Sequence, residues 1–145
     1  NATNGAEPMR LTRHTDYALR ILLQAAAQPE ARLSIAQVAE SQGIARNHAM
    51  KLVNELAQAG LLATTRGRGG GFALARPAAG ITVGEVVRVT EPDIRPADCE
   101  GCALASSCGL TGILAGASRA FLAELDRHSL ADAAALTRLP FSLLQ

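Results

Sequence analysis

The sequence predicts a mainly helical fold with one small β-hairpin. Three observations carry that prediction. Apolar residues recur at three- and four-residue steps through most of the 145 residues, and Ser, Thr and Gly stand where helix ends need them. The one clear break in helical periodicity is a pair of short strand-like runs flanking "GRGGG". Aromatic residues make up only 3% of the chain, with no Trp, so the core must be aliphatic and built by close helix packing. The length suits one domain with a real core or one domain with a small appendage.

The segment 1–8, "NATNGAEP", precedes a credible start at Met9 and reads as a vector-derived remnant, which makes Asn1-Ala2-Thr3 a chance sequon. It has neither the basic nor the apolar region of a signal peptide. No apolar run approaches the roughly 18–20 residues that span a bilayer. The expectation is a cytoplasmic protein with no membrane partner, where clustered cysteines serve metal or redox chemistry more often than structural disulfides.

"LTRHTDYALRILLQAAAQ" is the first helix, with Leu19, Leu22, Leu23 and Ala26 in helical register and Pro29 stopping it. "SIAQVAESQG" is a short second helix in which Ser34 and Gln37 form a capping box and Gly43 takes the left-handed closing position. "IARNHAMKLVNELAQAG" is the third, with Ile44, Ala49, Leu52, Val53 and Leu56 on one face and Gly60 at its end. Two helices joined by a tight turn at Gly43 make a helix-turn-helix. "LLATTR" and "FALA" are then the strands of a hairpin with a glycine-rich tip, ended by Pro77. This order of three helices and a hairpin is a winged helix-turn-helix, assigned to residues 9–80.

Residues 81–145 hold the rest. "TVGEVVRVTEP" is a helix with a Thr82/Glu85 capping box, and a cysteine loop (98–108) follows. A long helix over 109–127 carries Leu110, Ile113, Leu114, Ala117, Phe121 and Leu125 on one stripe among small residues. Such a stripe outside the compact front module asks for a partner, most simply the same helix of a second subunit, so it is read as a dimerisation helix. "SLADAAALTR" closes the chain as a short helix boxed by Ser129 and Asp132.

Residues 1–80 carry nine basic side chains against five acidic, and residues 81–145 five against eight, so the front half suits a polyanion. Arg46, Asn47, His48 and Lys51 fall in the first turns of the third helix, the part of a recognition helix that meets base edges in the major groove. Arg pairs with guanine and Asn with adenine, while Lys reaches guanine or phosphate. At the wing tip, Arg66 and Arg68 reach for phosphate or the minor groove, and Gly69 and Gly70 let the backbone come close. The tip lacks the Lys-Ser/Thr ending of a nucleotide loop and precedes a strand. His14 and His128 read as surface or boundary histidines, and Asp16 as a plain surface charge.

All three cysteines, Cys99, Cys102 and Cys108, lie in "ADCEGCALASSCGL" with C-x2-C-x5-C spacing. A zinc site wants a fourth ligand and usually a second C-x-x-C knuckle. A thiol switch leaves one cysteine over, and three buried structural cysteines do not suit a Gly- and Ser-rich loop. An iron–sulfur cluster takes thiolates and tolerates one other ligand. Cluster and zinc stay equally open on spacing alone. No Ser/His/Asp or Cys/His arrangement points to an enzyme, and "CEGC" lacks the strand-to-helix context of a thioredoxin-like motif.

From Met9 to about Ala133, the stretches "MRLTRHTDYALRILL", "RNHAMKLVNELAQAGLLATTRGRGGGFALARP", "ITVGEVVRVTEP" and "AFLAELDRHSLAD" resemble the Rrf-type winged-helix repressors, and within them the nitric-oxide-sensing branch. That resemblance implies a homodimer on a palindromic double-stranded DNA operator, with one iron–sulfur cluster per subunit, of 4Fe–4S type. It implies Cys99, Cys102 and Cys108 as ligands and Asp16, from the other subunit, as the fourth. Nitric oxide would nitrosylate the cluster, break the tie through Asp16 and release the operator. Two departures stand out. The gap "CEGC" is shorter than the family's usual one, and Thr111 occupies the position where the cluster-assembly regulators of the family carry a histidine. The same scaffold sensing iron or redox state, or a zinc-stabilised constitutive DNA-binding module, are the alternatives.

Overall fold

The computed structural model describes residues 10–140 and residue 143. The remnant reading of 1–8 and the start at Met9 lie outside the described residues. In chain order the elements are α1 (Arg13–Ala27), α2 (Ile35–Gln42), α3 (Arg46–Gln58), β1 (Leu62–Thr65), β2 (Gly71–Leu74), a 3-10 turn (Ala78–Gly80), α4 (Val83–Thr90), α5 (Leu110–Asp126) and α6 (Leu130–Leu136). This is the mainly helical fold with a small antiparallel hairpin that the sequence predicts. Among the described residues no helix is long and apolar enough to cross a membrane.

Local chemistry sets the helix ends. Thr12, Ser34, Thr82 and Ser129 each accept a hydrogen bond from the third backbone amide of the helix that follows. Only at Ser129 is the full reciprocal box present, with Asp132 reaching back to the Ser129 amide at 2.9 Å. The box expected at Thr82 is half made because the Glu85 carboxylate pairs with Arg76 instead. After α2, Gly43 turns left-handed at φ 67° and the Ile44 amide reaches back to the Ala39 carbonyl at 2.8 Å. That closure turns the chain sharply into α3 and sends Ile44 into the core at 5% exposure.

The core is one aliphatic cluster. Ile21 and Leu22 of α1, Leu52 and Leu56 of α3, Ile81, Val86 of α4 and Leu130 of α6 are all essentially fully buried. Among the described residues, Phe72 of β2 is the one aromatic ring buried in it, at 1% exposure. A buried pair of hydroxyls, Thr90 to Thr15 at 3.0 Å, ties α4 to α1. α6 returns to the same body, with the Leu130 amide on the Ile81 carbonyl at 2.8 Å.

β1 and β2 pair antiparallel with Leu62 opposite Leu74 and Thr65 opposite Gly71. A third segment joins them: the amide and carbonyl of Leu33 exchange 2.8 Å bonds with Phe72. The edge of β2 is thereby covered, which blunts it as a pairing surface.

α5 stands apart, since none of its 17 residues is buried. The stripe read from the sequence divides in two. Leu114 and Leu125 of the stripe, with Leu122 beside them, are half-buried on the side of α4, where Arg88 and Asp126 form a two-bond ion pair at 2.5 and 2.8 Å. Leu110, Ile113, Ala117 and Phe121 face outward.

Candidate nucleic-acid interface and cysteine loop

α3 owes its two faces to spacing. Ala49, Leu52, Val53 and Leu56 point into the core, so Arg46, Asn47, Met50, Lys51 and Asn54 are forced onto the open face, and all five are exposed. Ala45 offers no side-chain cap to the start of α3, so the first-turn amides have no side-chain acceptor from it. The wing flanks this face. Arg66 and Arg68 are exposed at its tip, and Arg32 donates to the Gly69 carbonyl at 3.3 Å, bracing the turn. Gly70 is required there: a Cβ would stand 2.4 Å from the Thr65 carbonyl and 2.7 Å from that of Gly67.

His48 differs from its neighbours. It is half-buried and turned toward α1, stacked on His14 with ring centroids 5.3 Å apart and edge-on to Tyr17 at 5.2 Å. His14 Nδ1 lies 3.0 Å from His48 Nε2, and His14 Nε2 lies 2.5 Å from the Glu55 carboxylate. Both bonds are satisfied when each histidine carries its proton on Nε2. Burial, and then the neighbouring His14, Lys51 and Arg13, push the His48 pKa down, so its neutral form is favoured. The sequence alone gives His14 no role because its partners lie 34 and 41 positions away.

Glu55 is the only acidic residue of α3, and His14 holds it. On the reading of α3 as the DNA-facing helix, replacing His14 with alanine should free that carboxylate and weaken duplex binding about fivefold, on the scale of 1 kcal/mol. Adding Glu55→Gln should restore most of the loss. Fluorescence anisotropy on a labelled duplex checks both, and failure of the second change to rescue would mean the histidine acts through packing alone.

The cysteine loop lies between α4 and α5. Ser118 of α5 donates to the Ile94 carbonyl at 3.0 Å, and Arg95 binds Asp93, holding that carboxyl at about 2. Within the loop, successive turns bond Cys102 to Cys99, Ala105 to Cys102 and Ser107 to Leu104 through their backbones. All three thiols are free, Cys102 exposed and Cys99 and Cys108 half-buried. Among the described residues no three His, Cys, Asp or Glu side chains come together as a metal site. The set read from the sequence is therefore not assembled within this one chain. The case for a metal group rests on the donors: three thiols within ten residues suit a cluster or zinc. Asp16 sits on α1, half-buried, bonded to Arg20 one turn on at 3.2 and 2.6 Å. A half-exposed i,i+4 pair of this kind is worth about 0.3–0.5 kcal/mol, too little to hold Asp16 against a stronger competing ligand bond.

The chain thus combines a winged helix, a basic exposed face on α3 and a three-thiol loop. The family model described as Rrf2, iron-dependent transcriptional regulator, matches residues 11–135. The chain belongs to the Rrf2 family. Rrf2 proteins are transcriptional regulators, not enzymes. Among solved structures, CymR, the global cysteine regulator of B. subtilis, superposes with a TM-score of 0.73 at 26% identity, covering 90% of this chain and 99% of that one. CymR of Staphylococcus aureus gives 0.71 at 25%, covering 88% and 100%, and an oxidized form of it also matches. IscR of T. potens shares the fold, with a TM-score of 0.73 at 24% identity over 94% and 98% of the two chains. The Rrf2 match thus spans the wing, the cysteine loop and the long helix together.

Proposed function

We propose that this Rrf2 protein is a homodimeric, DNA-binding repressor whose cysteine loop reports iron or redox state to the two recognition helices. The observation that carries the reading is an exposed loop with three free thiols on the same scaffold as a polar, basic α3 face. The iron-dependent description of the family and the oxidized CymR structure support it. Cys99, Cys102 and Cys108 would hold an iron–sulfur cluster, with the partner subunit's Asp16 as fourth ligand. When bound, such a cluster supplies a redox-active iron that also takes small diatomic ligands.

The chain's own residues do the rest. Arg46, Asn47 and Lys51 read base edges, with His48 bordering them, while Arg66, Arg68, Gly69 and Gly70 carry the wing's contact with the backbone or minor groove. The sensing loop connects to this surface through α4, whose Thr90 bonds Thr15 one residue from Asp16. α5 presents Leu110, Ile113 and Phe121 to a second copy. Because operator half-sites lie about one helical turn apart, roughly 34–36 Å, a small rotation of α1 relative to the partner is enough to misplace one recognition helix.

Nitric-oxide sensing of the NsrR kind is a second reading, favoured by the in-register resemblance and by Asp16, since an iron held by carboxylate is more open to a diatomic than one held by four thiolates. One experiment separates the readings. Protein purified without oxygen is titrated with iron chelator, peroxide and nitric oxide while visible absorbance and duplex binding are followed in the same samples. Release of DNA by chelator or peroxide supports the iron or redox reading, and release by nitric oxide alone supports the other. Zinc in place of a chromophore, with constitutive DNA binding, would overturn both. Cys102→Ser is expected to remove at least about nine-tenths of the bound iron, because a neutral serine hydroxyl is a poor substitute for thiolate. If Asp16→Ala kept a response identical to wild type, the cross-subunit tie would not be the switch.

A further inference from the structure

We propose that Met50 is a specificity-determining residue that packs its thioether against the C5-methyl group of a thymine in the major groove. The inference rests on the reading of α3 as the recognition helix. Among the described residues, the exposed large hydrophobic side chains are Met50, Leu104, Leu110, Ile113, Phe121 and Leu136. All but Met50 lie beyond residue 100, on the cysteine loop, α5 and α6. Among the described residues of the winged module, Met50 is the one large apolar side chain left exposed.

Its exposure is not a packing failure. The neighbouring apolar residues of α3 are seated normally, Ala49 at 1%, Leu52 at 0% and Val53 at 1%, whereas Met50 is 43% exposed. Helical geometry puts it one turn from Arg46 and Asn47 on one side and from Asn54 on the other, beside Lys51. With Asn47, Lys51 and Asn54 on its own helix, and Val89 and Pro92 on the far side, it lines an open groove of about 890 Å³ between α3 and the junction of α1 with α4. An apolar side chain held in the centre of a polar stripe gains free energy only where it meets another apolar group. On the base edges of the major groove there is one hydrocarbon group, the methyl of thymine. The asparagines above and below are the side chains that pair with adenine, thymine's complement. Methionine is unbranched and polarizable, so it fits a small methyl without demanding one rigid geometry. The flanking charges, Arg46 and Lys51, match DNA, and the one carboxylate of the helix is engaged by His14.

The test removes the methyl and nothing else. A duplex is selected from a random library with the wild-type protein, and each thymine in it is replaced in turn by deoxyuridine. Wild type is expected to lose about fourfold in affinity per half-site at one symmetry-related thymine pair, the scale of one buried methyl or methylene. Met50→Ala should bind the parent duplex more weakly by a similar factor and be indifferent to deoxyuridine at that pair, while Met50→Leu retains the wild-type preference. If no position distinguishes wild type from Met50→Ala, the inference is overturned while recognition by α3 stands. Selection that returns no preferred duplex would overturn recognition and the Met50 contact together. A change in sedimentation mass on Met50→Ala, with DNA binding intact, would make the side chain a protein contact and also sink the proposal.

Discussion

Replacing Gly71 with alanine is expected to cost about 3 kcal/mol of folding stability and to lower the melting temperature by roughly 10 °C. Two independent facts at this residue set the magnitude. Its φ of 156° lies where residues with a Cβ are strained, and a Cβ would stand 2.2 Å from the Leu33 carbonyl oxygen. That oxygen cannot simply withdraw, because it accepts the Phe72 amide at 2.8 Å while the Leu33 amide donates to the Phe72 carbonyl at the same distance. Moving Leu33 breaks both bonds, and moving β2 lifts Phe72 out of the core. Gly80→Ala is the control, since a Cβ there would meet nothing within 4 Å and its φ is not in the left-handed region. Thermal unfolding followed by circular dichroism reads both variants. A Gly71→Ala protein melting within about 2 °C of wild type would show that Leu33 does not pair with β2.

What could be read from the sequence was what local chemistry decides. Ser34, Thr82 and Ser129 cap their helices, Gly43 closes α2, and "GRGGG" forms the hairpin tip, because each outcome depends on a handful of adjacent residues. The open face of α3 was legible for the same reason, being the complement of its apolar spacing. Contacts made across the fold left no such trace. Leu33 pairs through a single bridge, too short for any alternation to announce it. Glu85 abandons its box because Arg76 is brought beside it by the hairpin, and His14 meets His48 and Glu55 only once α1 lies on α3. The stripe of α5 splits because α4 covers one side of it, which periodicity alone does not tell. The cysteine spacing advertises thiolate chemistry, yet among the described residues no three candidate ligands come together, and the proposed fourth ligand, Asp16, comes from the family resemblance and not from the spacing.

That second subunit gives the largest expected effect on DNA binding. Ile113→Asp should convert the protein to a monomer and weaken binding to a palindromic duplex by about a hundredfold or more. Ile113 is 67% exposed, with Leu110 at 58% and Phe121 at 40% along the same outer side of α5. Contiguous apolar surface of this kind on a helix with no buried residue of its own marks a site of association. A carboxylate placed at its centre would have to be buried unpaired when two such helices meet, a cost of several kcal/mol per subunit. The winged core should hardly notice, because Ile113 takes no part in the buried cluster that runs from α1 to Leu130. Folding and dimerisation are thus separable in one variant: the thermal transition of the winged core persists while sedimentation reports half the mass. Affinity falls because the second half-site is no longer presented at high effective concentration by a bound partner, a gain worth roughly 10²–10⁴ in linked systems of this type. Binding to a single half-site should be unchanged, since Arg46, Asn47 and Lys51 are untouched. An Ile113→Asp protein that remained dimeric and bound the full operator as wild type does would place the subunit interface elsewhere on the chain.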